Sequence, residues 1–450
     1  MMRKSFVAAL TVTALIGAVG AMLALPSPVA RAGTPAQEAT YRLLDLFGTV
    51  FERVRRDYVE DVTDQQLIES AINGMLTSLD PHSSYLNADS FRDMQVQTRG
   101  EFGGLGIEVS MENGLVKIVS PIDDTPAFRA GVKPGDYIVR LDGQQVLGMT
   151  LQDAVDKMRG KVGSKVVLTI RRRDLELFDL TLVRDVIHIR SARSRTEGNI
   201  GYIRLTAFNE KTLESLEEGV KKLRNDIGMD KIRGFVLDLR NNPGGLFDQA
   251  IAVSDAFLDN GEIVSTRSRR RDETERYNAK KGDIAGGLPL VVLINDGSAS
   301  SSEIVAGALQ DHRRAIVVGT QSFGKGSVQT IIPLAGHGAM RLTTARYFTP
   351  SGRSIQAVGI VPDIEVKQIT SPSTEKNSTR SEANLPNALS NPNGEPRRKK
   401  RSPDPNSKKT KEVEVMPLKN PSEVKDYQLT RALDILRGVA LDRQQHSRLQ

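Results

Sequence analysis

Serine and lysine residues in the second half of the chain have the types and spacing that nucleophilic catalysis requires. Residues 296–303 read Asp-Gly-Ser-Ala-Ser-Ser-Ser-Glu, and residues 323–329 read Phe-Gly-Lys-Gly-Ser-Val-Gln. A serine hydroxyl attacks a carbonyl carbon when a neighbouring base removes its proton. A lysine amine becomes such a base when burial lowers its pKa, because desolvation disfavours the charged ammonium. The two segments together predict a Ser–Lys site.

Ser300 is the candidate nucleophile, and a strand followed by a helix must position it. The apolar run at residues 290–294 predicts a strand buried on both faces. Apolar residues recur at helical spacing over residues 304–309, so the serines occupy a strand-to-helix turn. The first turn of a helix has unpaired N–H groups that stabilise developing negative charge. The alternative interpretation is that Ser298 or Ser300 only caps the helix, with Glu303 as its capping-box partner.

Lys325 is the candidate base, because none of the five histidines lies in a recognisable triad motif. Lys325 is flanked by glycines and follows an apolar strand predicted at residues 315–319. Gln329 lies four residues further on, which places both side chains on one face if the segment is a strand. Its amide oxygen is then expected to accept a hydrogen bond from the lysine. His312, which is beside Asp311, is the alternative base.

These two motifs resemble those of the C-terminal processing (tail-specific) peptidases, a family of Ser/Lys proteases. The resemblance extends from about residue 41 to residue 366 and implies that Ser300 is the nucleophile and Lys325 its base. Ser301 replaces the alanine found in many members, so Ser301 and Ser302 are alternative hydroxyls. Asp311 matches a position associated with the family's charge relay. A structural salt bridge with Arg313 or Arg314 is the alternative role for Asp311.

The same resemblance assigns an oxyanion hole. A predicted strand ends near residue 239 and is followed by Arg-Asn-Asn-Pro-Gly-Gly, which ends at Gly245. The N–H of Gly244 or Gly245 is expected to be one donor, and the N–H of Ser301 or its neighbour the second. A plain strand-to-helix turn without catalytic function is the alternative interpretation.

Residues 98–185 are predicted to form short strands and one amphipathic helix, and they resemble a PDZ domain. Gly104, Leu105, Gly106 and Ile107 lie where such domains bind the terminal carboxylate of a peptide. Glycines allow backbone N–H groups to converge on an anion, and an extended peptide then adds as a strand beside residues 107–110. The alternative is a glycine-rich turn with no ligand.

Composition limits the other classes of function. The chain has 450 residues, of which 39% are hydrophobic and 26% charged, as expected for a soluble protein of two or three domains. The formal charge of +7 is too modest to indicate nucleic-acid binding. The chain contains no cysteine, which excludes disulfides and thiolate catalysis, and no cofactor or metal is expected.

The N-terminus predicts export to the periplasm or cell envelope. Residues 1–32 contain a basic start, a long apolar segment and an Ala-Arg-Ala cleavage site. A cleaved signal peptide is favoured, and an uncleaved anchor in the inner membrane is the alternative because the apolar segment is nearly long enough to span a bilayer.

The remaining organisation follows from periodicity and from the resemblance. Residues 38–97 are predicted helical, and the resemblance implies that they cap the protease and promote a homodimer. Residues 186–368 alternate strand and helix, which indicates a largely parallel α/β core, and the resemblance implies a crotonase-like ββα topology with the PDZ domain inserted. Residues 369–422 are predicted disordered because they are polar and lack aromatic residues. Residues 423–450 are predicted to contain a helix that docks on a partner chain or on the N-terminal helices.

The sequence therefore predicts an exported serine endopeptidase that binds the free C-termini of protein or peptide substrates and cleaves nearby through an acyl-enzyme. A non-catalytic PDZ scaffold of the envelope is the alternative from another class. An acyl-transfer enzyme of the crotonase type is disfavoured, because no acyl-CoA phosphate-binding signature is found.

Overall fold

The structure is a computed structural model that describes residues 35–173, 175–270, 272–367, 381–394 and 426–447. The described residues divide into two compact units, one that ends at Ile68 and one that begins at Glu69. The predicted signal peptide or anchor at residues 1–32 and the basic run at residues 397–401 lie outside the described residues. Among the helices that are described, none combines the length and apolarity needed to cross a membrane.

Helices and strands alternate along most of the described chain. The helices are α1 (Pro35–Asp57), α2 (Asp64–Thr77), α3 (Ala88–Arg99), α4 (Pro126–Arg129), α5 (Leu151–Met158), α6 (Thr212–Ile227), α7 (Phe247–Asp255), α8 (Ser301–Asp311) and α9 (Tyr427–Ser447). The strands are β1 (Ser84–Leu86), β2 (Glu101–Gly104), β3 (Ile107–Glu112), β4 (Leu115–Pro121), β5 (Tyr137–Leu141), β6 (Gln144–Gln145), β7 (Lys165–Arg171), β8 (Phe178–Val183), β9 (Asp185–His188), β10 (Ala192–Glu197), β11 (Ile200–Leu205), β12 (Gly234–Asp238), β13 (Glu262–Ser268), β14 (Thr274–Asn278), β15 (Leu290–Ile294), β16 (Ile316–Gly319), β17 (Ser327–Leu334), β18 (Gly338–Phe348) and β19 (Ile364–Glu365).

The N-terminal region is helical as predicted, except where β1 interrupts it. Strand β1 follows a turn at residues 80–83 and pairs antiparallel with β18. The Asp80 carboxylate fixes that turn, because it accepts hydrogen bonds from the N–H groups of His82 and Ser83. The segment between α2 and α3 is therefore joined to a sheet of the core.

The PDZ-like region contains an antiparallel sheet with the strand order β3–β4–β5–β7–β8, and β6 pairs with β5. Its core is a cluster of fully buried side chains from several strands and from α5. These include Val116, Ile118, Ile138, Ala154, Leu168 and Ile170. Strands β2 and β9 enter and leave the region and pair antiparallel, so the two ends of the insertion are held together. Strand β3 lies at the edge of its sheet and has one open side among the described strands.

The core is a six-stranded sheet in the order β10–β11–β12–β15–β16–β19, and all pairs except β10–β11 are parallel. Successive residues of a strand point to opposite faces, so Phe235 and Leu237 contribute to one apolar layer and Val236 to the other. Helices α6, α7 and α8 contribute to the first layer, and α9 contributes to the second.

The docking surface of α9 differs from the one predicted. Helix α9 packs on the core sheet of its own chain, against β12, β15 and β16. Its buried contacts are Leu429, Ala432, Leu433 and Leu436. The physical reason is that a parallel sheet with two apolar faces needs a cover on both.

A second sheet is absent from the sequence-based prediction. It has the order β1–β18–β13–β14, with β17 also paired to β18, and all of these pairs are antiparallel. Strand β17 begins two residues after Lys325, so this sheet helps to position the candidate base.

The prediction of disorder for residues 369–422 is wrong in its middle part. Residues 381–394 are described and contain a 3₁₀ turn at Glu382–Asn384. The Glu382 side chain is fully buried. Long-range hydrogen bonds, which composition does not reveal, order this polar segment.

Candidate active site

Ser300 occupies the turn between β15 and α8 and has an unusual backbone conformation. Its φ is 54° and its ψ is −113°, which places a non-glycine residue at positive φ. Such a conformation costs of the order of 1–3 kcal/mol and persists only when the surroundings enforce it. Here Ala299 N–H donates to the Asn242 carbonyl at 3.0 Å, and Ile304 N–H donates to the Ser300 carbonyl at 3.0 Å.

The neighbouring serine hydroxyls are engaged elsewhere. Ser298 Oγ donates to the Leu239 carbonyl at 2.8 Å. Ser301 Oγ donates to the Gly245 carbonyl at 3.0 Å, and Ser302 Oγ donates to the Asn242 carbonyl at 2.9 Å. These serines join the nucleophile turn to the segment that follows β12.

One cavity of about 500 Å³ brings most of the predicted site residues together. Its lining includes Ser300, Ser301, Lys325, Gln329, Gly244 and Gly245. Apolar side chains of Phe208, Leu246, Phe247, Ile304, Val328 and Ile331 form much of the remaining wall. The cavity therefore joins a nucleophile, a candidate base and an apolar surface for a substrate side chain.

Lys325 has the electrostatic property that a base needs. Burial lowers its pKa from 10.5 to about 8, and the positive charge of Arg341 contributes in the same direction. The negative charges of Glu382, Glu303 and Asp80 oppose this shift. An appreciable fraction of neutral amine is therefore present near neutral pH.

Glu303 connects the nucleophile turn to the loop that carries the base. Its side chain is fully buried on the first turn of α8. Oε2 accepts the Ser300 N–H at 2.8 Å and the Lys325 N–H at 2.9 Å. Oε1 accepts the Gly324 N–H at 2.7 Å and the Ser322 hydroxyl at 2.5 Å. One carboxylate thus fixes both segments.

The sequence identified Glu303 only as a helix-capping residue. The hydrogen bond to Ser300 N–H is the one that capping predicts. The bonds to residues 322–325 depend on the tertiary fold and have no local signal. Burial raises the pKa of Glu303 to about 7, although its four hydrogen bonds favour the charged form.

Tyr347, which the sequence analysis did not identify, also contacts both segments. Its hydroxyl donates to the Lys325 carbonyl and interacts with the Ser300 side chain. The ring is buried, and burial raises the pKa of the phenol well above its usual value. Tyr347 is therefore a neutral structural contact beside the nucleophile.

Gln329 lines the cavity but does not make the predicted bond to the lysine. Its Nε2 donates to Ser327 Oγ at 3.0 Å and to Thr343 Oγ1 at 3.2 Å. The prediction assumed one regular strand, whereas Lys325 precedes β17 and an irregularity lies between Val328 and Gln329. The alternation of side chains is therefore broken between the two residues.

The segment after β12 supplies candidate donors for an oxyanion. Gly244 lies against the nucleophile, since a Cβ added to it would be 2.8 Å from Ser300 Cβ. Its N–H already donates to Asn242 Oδ1 at 2.9 Å. The N–H groups of Gly245 and Ser301 have no acceptor within the described part of the chain. The geometry thus favours Gly245 over Gly244 as the partner of Ser301.

Asp311 lies outside this cavity, at the end of α8. Its carboxylate accepts Arg353 Nη2 at 2.9 Å and the Ser351 N–H at 3.0 Å. The predicted salt-bridge partners are wrong, because Arg314 pairs with Asp283 and no ion pair links Asp311 to Arg313 among the described residues. A loop distant in sequence provides the partner.

His312, the alternative base, also lies outside the cavity lining. Its Nε2 is 2.6 Å from the Glu262 carbonyl.

The glycine loop of the PDZ-like region has the polarity expected of an anion site. The carbonyls of Leu105 and Gly106 accept hydrogen bonds from the N–H groups of Ala127 and Ile122, at 3.0 and 2.8 Å. The N–H groups of Leu105 and Gly106 have no acceptor in the described structure. Gly106 has a φ of 74°, and an added Cβ would be 2.3 Å from Thr125 Cβ. Gly104 ends β2 and Ile107 begins β3.

Comparisons with known protein families match three parts of the chain. Peptidase family S41 matches residues 199–366, a PDZ domain matches residues 117–172, and the activating protease CtpB N-terminal domain matches residues 26–90. The first match contains Ser300 and Lys325.

Relatives of known sequence are similar over most of their length. The carboxy-terminal-processing protease of Bartonella bacilliformis is 59% identical over 336 residues, which cover 74% of this chain and 77% of that protein. The carboxy-terminal processing protease CtpA of Bacillus subtilis is 35% identical over 325 residues, covering 72% and 69%. A solved structure, the photosystem II D1 C-terminal processing protease, is 29% identical with a TM-score of 0.42, covering 73% of this chain and 92% of that one.

Proposed function

Because the chain belongs to peptidase family S41 and is a serine-type carboxy-terminal-processing protease with a PDZ domain, we propose that Ser300 and Lys325 perform its acyl transfer. The single observation that carries this proposal is the cavity that both residues line. The lysine in that cavity has a pKa of about 8, which suits proton transfer near neutral pH.

The reaction begins when the neutral Lys325 amine takes the proton of Ser300 Oγ. Oγ then bonds to the scissile carbonyl carbon, and the electron pair of the C=O bond moves to oxygen. The N–H groups of Gly245 and Ser301 donate to this oxyanion. The lysine ammonium next gives its proton to the leaving amine as the C–N bond breaks. A water molecule, deprotonated by Lys325, hydrolyses the acyl-enzyme and restores the serine.

Substrate capture is assigned to the PDZ domain. A free carboxylate accepts the N–H groups of Leu105 and Gly106, and the preceding residues add as a strand along the open edge of β3. The substrates are then protein chains with an accessible C-terminus. Gly104 and Ile107 hold the loop between two strands.

Three further assignments accompany this function. The apolar N-terminal segment directs the protein out of the cytoplasm, to the periplasm or envelope. Helix α1 promotes a homodimer, because Leu43, Leu44, Phe47 and Val50 are exposed along it. The core is classified as crotonase-like on the basis of its helix-covered parallel sheet.

The test is the cleavage of a denatured protein by the mature enzyme, compared with the Ser300→Ala variant. The wild type should shorten the substrate from its C-terminal end, and the variant should be inactive. Amidation of a peptide's C-terminus should weaken its binding. Equal cleavage by wild type and variant would show that Ser300 is not the nucleophile. No cleavage by the wild type would favour the non-catalytic PDZ scaffold.

A further inference from the structure

Residues 381–394 cover the loop that carries Lys325, and we refer to them as the strap. The strap contacts that loop directly, since Glu382 N–H donates to the Phe323 carbonyl at 3.0 Å. Both carboxylate oxygens of Glu382 lie 2.9 Å from His82 Nε2. Glu382 is fully buried, and the proposed acyl transfer does not use it.

Gln356 extends the contact to the other side of the lysine. Its Nε2 donates to Glu382 Oε1 at 3.1 Å, and its Oε1 accepts the Gly326 N–H at 3.0 Å. Glu382 therefore reaches the backbone before Lys325 directly and the backbone after Lys325 through Gln356. A loop with glycine on both sides of its lysine has little rigidity of its own, so these contacts add to those of Glu303 in defining its position.

The far end of the strap is also fixed. Asn391 Nδ2 donates to the Gln356 carbonyl at 2.8 Å, and the Ser354 N–H donates to Asn393 Oδ1 at 2.7 Å. The strap thus holds Gln356 through its side chain at one end and its backbone at the other. A substitution of Glu382 therefore leaves the hydrogen bonds of Asn391 and Asn393 in place.

The charge of Glu382 also acts on the base. Lys325 faces the positive charge of Arg341 and the negative charges of Glu382, Glu303 and Asp80. A buried carboxylate costs several kcal/mol unless it is paired and hydrogen-bonded. His82 and Gln356 supply that pairing here. His82 is in turn held by Arg341, whose Nε donates to the His82 carbonyl at 3.0 Å.

We propose that Glu382 is a positioning residue for Lys325 and that the strap completes the active site. This inference rests on the proposed Ser–Lys function. Glu382 holds the base loop through Phe323 and Gln356, and its charge influences the proton affinity of the lysine. The carboxylate does not contact the reacting atoms.

The experiment compares Glu382→Gln, Glu382→Ala and the control Glu365→Gln, which changes an exposed carboxylate on β19. Acylation of Ser300 by a short peptide ester is measured from pH 6 to pH 10, because a short ester does not depend on capture by the PDZ domain. Glu382→Gln keeps the side-chain shape and removes a negative charge that favours the ammonium form of Lys325. The midpoint of the rise of its acylation rate with pH should therefore fall by about one pH unit. Glu382→Ala should lose about 100-fold in acylation rate through misplacement of the base. Glu365→Gln should match the wild type.

The outcomes separate this inference from the function on which it rests. If the wild type is active, Ser300→Ala is inactive, and both Glu382 variants keep the wild-type rate and midpoint, the positioning role is refuted. If the wild type fails to acylate, or Ser300→Ala acylates equally well, the proposed function itself fails. Circular dichroism checks the folding of each variant. Where Glu382→Ala does not fold, the midpoint of the isosteric Glu382→Gln variant decides the question.

Discussion

The pH dependence of acylation tests whether Lys325 acts as the base. Its pKa of about 8 implies that about a tenth of the amine is neutral at pH 7 and about nine-tenths at pH 9. The acylation rate should therefore rise about tenfold between these pH values and then level off. A lysine with the ordinary value of 10.5 would instead give a rise of about a hundredfold with no plateau by pH 9.

The same shift gives an estimate of its energetic cost. Lowering the pKa from 10.5 to about 8 corresponds to roughly 3 kcal/mol of disfavoured ammonium in the folded protein. Because burial lowers the pKa of Lys325 in the folded protein, the contribution of this residue to folding stability is fully present above pH 10.5. That contribution is lost as the pH falls through about 8. The fold tolerates this cost in order to supply a base near neutral pH.

The assay is single-turnover acylation by a short peptide ester, with Ser300→Ala measured at every pH to subtract spontaneous hydrolysis. Lys325→Arg should be inactive at all pH values, because guanidinium stays charged. It should still bind C-terminal peptides, since the peptide site lies in the PDZ domain.

Two results would exclude Lys325 as the base. A wild-type rate that does not change between pH 7 and pH 9 would show that no group with a pKa of about 8 controls acylation. Full turnover by Lys325→Arg would show that another group removes the serine proton.

Three further predictions concern neighbouring residues. Ser301→Ala should retain measurable cleavage and lose about 1 kcal/mol of stability in urea unfolding, because it removes the bond to the Gly245 carbonyl; complete inactivity with an active Ser300→Ala would reverse the assignment of the nucleophile. Gly106→Ala should weaken binding of a C-terminal peptide at least about tenfold, because positive φ strains alanine by about 1–2 kcal/mol. Hydrolysis of a short ester should be unchanged. An unaltered peptide affinity in a calorimetric titration would contradict this prediction. The raised pKa of Glu303 contributes stability that is fully present below pH 4.5 and is lost as pH rises through about 7, a loss of order 3 kcal/mol. Glu303→Gln should abolish this pH dependence of the unfolding free energy, which is measured by denaturant unfolding at pH 5 and pH 7. The same pH dependence in the wild type and in Glu303→Gln would exclude Glu303 as its source.

The elements whose signals are local can be predicted from the sequence without the structure. The apolar run of β15 and the helical spacing of α8 placed Ser300 at a strand-to-helix turn, and the structure has that turn. The flanking glycines and the family spacing identified Lys325. These features depend on neighbouring residues and on short motifs, so they can be predicted without knowledge of the fold.

Tertiary structure alone decided which distant groups meet at the site. Glu303 looks like a helix cap in sequence, yet its carboxylate also binds the loop of Lys325. Gln329 was assigned to the lysine from strand periodicity, and the irregularity beside it changed its partners to Ser327 and Thr343. Such partners depend on the register between strands, which the spacing of residues within one strand does not specify.

The strap shows the same limit most directly. Composition predicts that residues 369–422 are disordered, because they contain too little apolar surface to form a core of their own. Glu382 is nevertheless buried beside His82 and Gln356, residues that are far from it in sequence. The protein core supplies the partners that offset the ordering of this polar segment. Local composition reports what a segment can bury by itself, whereas the assembled fold determines what it can bind.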